Sequence, residues 1–355
     1  PTSSVPPTSS PSYTRSDNNR LLRLVNTRCK AGVLLCGLLL SGCASPPQTR
    51  QLLHAQPDAL PLVHEIVQTP FFPQSRYQCG PAALATVLSA HGIDITADAL
   101  VEQVYTPGLA GSMAEEITAT ARRYGMLAYP LAPVLEDVLA EIAHDHPVLV
   151  FQNLGLRWIP RWHFAVVVGY DLDSQTLVLR SGTTRRWTTP LATFERTWAR
   201  GRHRAWVIVP AGTVPHTADV LPYLKTAREL ERTGKPGAAR QAWLAGTVRW
   251  PENFRAWMAL GNSYYATGEF ALATPAFQRA TELSPQEPAG WNNLAYALVK
   301  NRCPHAAQQA AACARQLAPD NMQYRQTAME ITALASGSDA AGCPSILCTG
   351  AQPHD

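Results

Sequence analysis

The sequence predicts an α+β domain followed by an all-α array of helical pairs. Three observations predict it. Helix signals come first in residues 79–143, and apolar strand-like runs follow at 147–153, 163–170 and 175–180. Beyond residue 220 the chain repeats at a fixed interval: Tyr223, Trp257 and Trp291 fall 34 residues apart, as do Pro251, Pro285 and Pro319, and Ala239, Ala273 and Ala307. The third observation is composition. At 355 residues, 46% hydrophobic and 16% charged, the chain can build real cores and is not a disordered polymer.

Taken in order, residues 1–43 read as a disordered leader plus a secretory signal. Ser, Pro, Thr and Asn dominate the first twenty positions. Arg23, Arg28 and Lys30 then precede an apolar run of about a dozen residues, too short to cross a bilayer comfortably. The run ends in Leu40-Ser41-Gly42-Cys43, which resembles a bacterial lipobox. That resemblance implies cleavage before Cys43, lipid on its thiol and a membrane partner through that lipid. Ala44 and Ser45 follow where an aspartate would signal inner-membrane retention, so the expected location is the outer membrane, facing the periplasm. An uncleaved anchor helix is the other reading of the run. The length ahead of the signal implies a translation start further in. Residues 44–62, with Pro46, Pro47, Pro57 and Pro61, read as a linker that lets the body stand off the membrane.

The α+β domain is expected over residues 63–212. Its first helix starts at Cys79, where Gly80 lets backbone approach a ligand and Pro81 suits the first helical turn. A cysteine at a helix N-terminus feels the partial positive charge of unpaired N–H groups, which favours the nucleophilic thiolate. The bland alternative is a small buried thiol. Thr96 then caps a helix to about Val104, and Ser112 with Glu115 reads as a capping box for a helix stopping at Gly125. Glu136–Ala143 belongs to a third helix. The apolar run from His163 to Tyr170 reads as a strand with the histidine at its exposed start, Asp171–Ser174 as a turn, and Ala205–Val209 as the strand that closes the sheet.

Gln74 and Cys79-Gly80-Pro81-Ala82, with His163-Phe164-Ala165-Val166-Val167-Val168-Gly169-Tyr170 downstream, resemble the bacteriocin-processing cysteine peptidases that act on double-glycine leaders, and their free-standing relatives. The resemblance covers roughly residues 63–210 and implies a papain-like fold. It also implies that Cys79 attacks, His163 serves as base, and Gln74 supplies an oxyanion donor beside the cysteine's own N–H. Gln78 is nearer in sequence but points the other way along an extended chain. Relatives carry an aspartate at the end of the strand after the histidine strand. Here that place reads Val178-Leu179-Arg180-Ser181-Gly182-Thr183, with no carboxylate. Ser181 or a backbone carbonyl is left to accept the imidazole N–H, and Arg180 would disfavour an imidazolium if it faced one. Asp171 and Asp173 are turn residues at the wrong strand end.

Other titratable groups read as structural. His144-Asp145-His146 suits a solvated loop better than a metal site, His91 a helix C-terminus, and His203 a surface turn. No HExxH, paired CxxC or phosphate loop occurs, so no metal and no cofactor is expected. The net charge of +4 comes without a basic run interleaved with aromatics, which leaves nucleic acid no support as a partner.

Trp257, Leu260, Gly261, Tyr264, Ala273, Phe277, Ala280 and Pro285 match the tetratricopeptide pattern. That resemblance implies three repeats with a capping helix over 218–335, presenting a concave face to a peptide or protein partner. Residues 336–355 read as a flexible tail. Past Cys43 the cysteines are Cys79, Cys303, Cys313, Cys343 and Cys348. Pairing Cys303 with Cys313 and Cys343 with Cys348 would leave Cys79 as a free thiol; Cys303, His305 and Cys313 as a zinc site is a weaker alternative. Two functions stay open: a lipid-anchored periplasmic thiol peptidase acting on a peptide or protein, and a degenerate domain that binds peptides without cutting them.

Overall fold

The computed structural model describes residues 45–348 apart from 56, 58, 75–77, 110, 335 and 336, with Thr2 outside that span. Cys43, the signal and the leader lie outside the described residues. The first element corrects the linker expectation. Helix α1 (Pro47–His54) follows the Pro46 N-cap, and its N-terminus docks on a buried carboxylate: Gln48 N, Thr49 N and Thr49 Oγ1 donate to Glu195 at 3.0, 2.6 and 2.6 Å. Proline at the first helical position has no N–H to lose, so the prolines that suggested a spacer begin a helix instead.

The α+β unit is a single mixed-length sheet with helices on both faces. Its elements are β1 (Val63–Glu65), α2 (Cys79–Ala90), α3 (Ala97–Val104), a small hairpin β2 (Tyr105–Thr106) and β3 (Gly111–Ser112), α4 (Ala114–Arg123), β4 (Met126–Pro130), α5 (Leu135–Ala143), β5 (Val148–Asn153), β6 (Trp162–Asp171), β7 (Thr176–Ser181), β8 (Thr184–Pro190), α6 (Leu191–Arg200) and β9 (Ala205–Pro210). The main sheet runs β4-β9-β5-β6-β7-β8, all antiparallel, with β1 also pairing to β6. β9 therefore lies between β4 and β5 rather than closing an edge.

Alternation along β6 sorts the core into two layers. Phe164, Val166 and Val168 face Leu84 and Leu88 of α2, together with Leu100 and Ile117. Ala165 and Val167 face Leu139 and Ile142 of α5 and Phe194 and Trp198 of α6. Helix α4 starts after Met113, without a side-chain cap, because Ser112 is held in the β2–β3 hairpin instead; the capping-box expectation fails there. Thr96 does cap α3, its Oγ1 accepting from Ala99 N at 3.3 Å.

The repeats follow as α7 (Val220–Arg232) with α8 (Pro236–Arg249), α9 (Phe254–Ala266) with α10 (Phe270–Leu283), and α11 (Pro288–Lys300) with α12 (Pro304–Leu317), ending in α13 (Met322–Leu334). Small residues set the approach of each pair. At Gly261 a Cβ would stand 2.6 Å from the Phe277 ring. The tail corrects two expectations. Disulfides join Cys303 to Cys343 and Cys313 to Cys348, so residues 337–348 are tied back to the last repeat, with Ile346 buried in its core. Each cysteine is bridged to a tail partner with its Cα 5.6 Å away, which sequence adjacency could not reveal.

The two domains share a core. Tyr223, Leu224 and Ala227 of α7 belong to the same buried cluster as Leu127, Tyr129 and Val209 of the sheet. Glu141 of α5, fully buried, holds the connector: it accepts from Thr217 N and Thr217 Oγ1, both at 2.7 Å, and from His216 N at 3.2 Å, and pairs with His146 Nδ1 at 2.7 Å. His144 stacks on His216 with centroids 3.5 Å apart. The turn is solvated at His144 and Asp145, as expected, yet His146 and His144 also touch the domain junction. Removing the acceptor strands buried N–H groups. Glu141→Ala should lower stability by about 3 kcal/mol, and Glu141→Gln, which keeps one carbonyl acceptor, by less. Urea unfolding followed by tryptophan fluorescence measures the difference.

Candidate active site

Helix α2 is apolar through its length, with residues 80–88 all buried, so it must lie on the sheet rather than on the surface. Its N-terminus is set by contact at Gly80. A Cβ there would stand 2.2 Å from Ser112 Oγ and 2.5 Å from Ser112 Cβ, so only glycine lets the hairpin close over the helix start. This places the half-buried free thiol of Cys79 against the first residues of β6. Burial pushes the thiol above its ordinary pKa, while the backbone N–H groups of Phe164, Gly80 and Cys79 itself pull the other way. Desolvation wins, and the resting group is the thiol.

His163 is the second residue of β6, not the first. Its Nε2 lies 2.8 Å from Ser181 Oγ, at the end of β7. The residue where relatives place an acid is therefore in hydrogen-bond contact with the imidazole, as a neutral hydroxyl. With Nε2 engaged, Nδ1 is the ring nitrogen left to serve a thiol. Burial, and then the nearby Arg161 charge, push the imidazole down to about 4, so it is neutral at pH 7. Arg180 does not contribute: it is buried and turned away, donating to Thr69 O, Val67 O and Arg185 O. Arg161 is the functional neighbour that sequence reading missed, although Arg161-Trp162-His163 places it two residues away, on the same face of an extended strand.

The two reactive groups flank the same strand end from different sides. Cys79 packs with the Phe164 layer, whereas His163 lines a cavity of about 480 Å³ with Gln152, Ser181, Trp187, Thr193 and Thr197. Among the described residues no hydrogen bond joins thiol to imidazole. Catalytic contacts of this kind often tighten only when substrate is bound. Gln74 is tied in through its backbone, its N–H donating to Gly182 O at 3.0 Å, next to Ser181. That bond brings Gln74 to the same end of the sheet; its side chain has no hydrogen-bond partner among the described residues. Gln78 is the N-cap position of α2.

Gln152, opposite His163 on β5, is buried and donates to Thr197 Oγ1 at 2.6 Å. It walls the imidazole's cavity, and nothing in its sequence neighbourhood marked it. Among the described residues no cluster of three or more His, Cys, Asp or Glu suits a metal.

Residues 63–205 match the Peptidase_C39 like family and residues 224–288 match the tetratricopeptide repeat. The chain thus carries a C39-like α+β peptidase domain followed by a helical repeat array. Three solved structures are similar to about two-fifths of this chain. A putative C39-like peptidase from Bacillus anthracis is 17% identical, with 41% of this chain covering 97% of that one at a TM-score of 0.36. The peptidase domain of Streptococcus ComA, described as a bi-functional ABC transporter involved in quorum sensing, is 22% identical (40% and 99% covered, TM-score 0.34). A double glycine motif protease from an AMS/PCAT transporter, solved with its leader peptide, is 20% identical (41% and 93% covered, TM-score 0.32). No curated protein matches the chain.

The neutral partner of His163 makes a direct prediction. A carboxylate beside an imidazole favours its cation, so Ser181→Asp should raise the His163 pKa by about 1–3 units from its value near 4. Ser181→Ala should leave it low. A histidine NMR titration reads all three proteins.

Proposed function

We propose that the C39-like domain is a cysteine peptidase in which neutral His163 removes the Cys79 proton as the sulfur attacks a peptide carbonyl. The observation that carries this reading is the imidazole held by Ser181 beside the strand end on which the Cys79 thiol rests. The acyl-enzyme forms on Cys79 and the amine leaves with the proton from His163. Water, activated by the same imidazole, then releases the acid. The N–H of Cys79 and the side chain of Gln74 are assigned to the oxyanion. Without a carboxylate the cation formed at each proton transfer lacks its usual stabiliser, so turnover is slower than a carboxylate would allow.

A second reading, a peptide-binding domain without turnover, is favoured by one specific observation: thiol and imidazole both rest neutral and are not hydrogen-bonded to each other. The two readings part on product. A proteome-derived peptide library incubated with the full chain should yield new N-termini by mass spectrometry. These should vanish with Cys79→Ser and fall about a hundredfold or more with His163→Ala. No new N-termini from wild type would leave the binder.

The pH dependence follows from the resting state. A thiol whose pKa is raised holds less thiolate at any given pH, so iodoacetamide labelling of Cys79 should still be climbing where an ordinary thiol has levelled off. Ser181→Asp, by favouring the thiolate–imidazolium pair, should shift that curve to lower pH.

The repeat array is assigned to protein or peptide binding, and Cys43 to lipid attachment on a periplasm-facing outer membrane. Helix α1 begins four residues after Cys43, so the anchor lies within about 14 Å of extended chain of the folded body. The body then sits close to the bilayer instead of on a long tether. Incorporation of a labelled fatty acid into wild type and its loss in Cys43→Ala tests the assignment; among the described residues no helix is long and apolar enough to cross a membrane.

A further inference from the structure

The face of the sheet that receives Cys79 carries a row of aromatic side chains leading away from it. Phe164 contacts Phe151 of β5 with centroids 4.7 Å apart, and Trp162, more than half exposed, stacks on the same ring at 5.1 Å. Arg204 continues the row, its guanidinium 5.9 Å above Phe151 and 5.0 Å above Trp206 of β9, with Glu115 at the start of α4 holding it in place at 2.6 Å. Trp206 in turn forms one wall of a cavity of about 450 Å³ between α4, β4 and the first repeat helix α7.

That cavity carries an excess of positive charge. Arg122 and Lys225 line it from the two domains, with Thr118, Leu221 and Glu229 among the remaining walls. Arg122 Nε is buried without a partner, and its guanidinium makes no hydrogen bond or ion pair among the described residues. Glu229, on the same wall, favours the Arg122 charge but shares its carboxylate with Arg232 at 3.2 Å, so two cations face one acid. Lys225 is likewise unpaired and exposed at the mouth.

We propose that this cavity at the domain junction binds a carboxylate of a peptide lying across the catalytic end of the sheet, with Arg122 and Lys225 as its ligands. The aromatic row seats the apolar residues between that carboxylate and the scissile bond. The proposal deepens the peptidase reading and rests on it for the peptide's position. Three strand spacings separate β6 from β4 in the order of the sheet, about 14 Å, or about four residues of extended chain. The carboxylate belongs either to an acidic side chain about four residues from the cleaved bond or to a chain terminus at that distance.

Affinity selection tests it without needing turnover. Full-length protein carrying Cys79→Ala is immobilised and offered random decapeptides in two pools, one with free and one with amidated C-termini. Enrichment of Asp and Glu at one register in both pools identifies a side chain. Preference for the free-terminus pool identifies the terminus. Either preference should fall about tenfold or more in Arg122→Met and clearly in Lys225→Met, as a charge-assisted contact is lost. Lys225 lies on an exposed helix surface, so its variant stays informative if Arg122→Met does not fold. No acidic or terminal preference in the Cys79→Ala protein, no peptide retained, or a preference unchanged in both variants would overturn the proposal. A protein that selects carboxylates but cleaves nothing refutes the peptidase reading and leaves the site standing. One that cleaves without carboxylate preference does the reverse.

Discussion

The closeness of Gly80 to Ser112 is the constraint from which the rest of the site follows. Because no Cβ intervenes, the β2–β3 hairpin closes over the head of α2, and the helix can drop onto Phe164, Val166 and Val168. Only with the helix at that depth does the Cys79 sulfur reach the start of β6. The cost of that depth is desolvation, which holds the sulfur as a thiol despite three backbone N–H groups that favour the anion. Position and reactivity are thus opposed at this residue, and the fold resolves the opposition in favour of position.

The same opposition shapes His163. A histidine near the end of a central strand is bound to lose solvent on one side, and here Gln152, Thr197 and Trp187 enclose it. In such surroundings a carboxylate would hold the imidazolium, whereas the Ser181 hydroxyl accepts or donates without regard to charge. Arg161 then adds a like charge to the balance. The outcome is an imidazole that is unprotonated at neutral pH and a thiol that is protonated, with no hydrogen bond joining them among the described residues. Any catalysis must therefore proceed through proton transfer during attack instead of through a standing ion pair.

Much of this was legible in the sequence, for reasons that can be named. β5, β6 and β7 each carry a buried apolar run (Val148–Val150, Phe164–Val168 and Leu177–Leu179), and the helix after Cys79 is largely apolar, so burial itself wrote the pattern. The repeats announced themselves by period, since each copy solves the same packing problem with the same small and aromatic residues. What failed to show was governed by long-range contact. β8, Thr184-Arg185-Arg186-Trp187-Thr188-Thr189-Pro190, is almost wholly exposed and reads as loop because only its neighbour β7 makes it a strand. Ser112 looks like a cap until the hairpin claims it. α1 is hidden by its prolines and by an acceptor, Glu195, nearly 150 residues away. The disulfide partners were equally invisible, because α12 and the tail meet only in three dimensions. α6 is the exception: Leu191, Phe194, Glu195 and Trp198 share a helical face, and that pattern was present to be read.

The junction between the domains alters what the repeat array can be. An array on a flexible tether would raise local concentration of a partner without fixing its direction. Here α7 shares its buried residues with β4 and β9, Tyr129 OH accepts from Asp219 N at 3.0 Å, and Glu141 gathers the connector's N–H groups. The array's first helix is in effect a further layer of the peptidase domain. The spacing between α7 and the sheet is consequently set by packed side chains, and the cavity holding Arg122 lies at that junction. Substitutions that loosen Glu141 should accordingly disturb peptide handling without touching Cys79, because they act on the one spacing that both domains share.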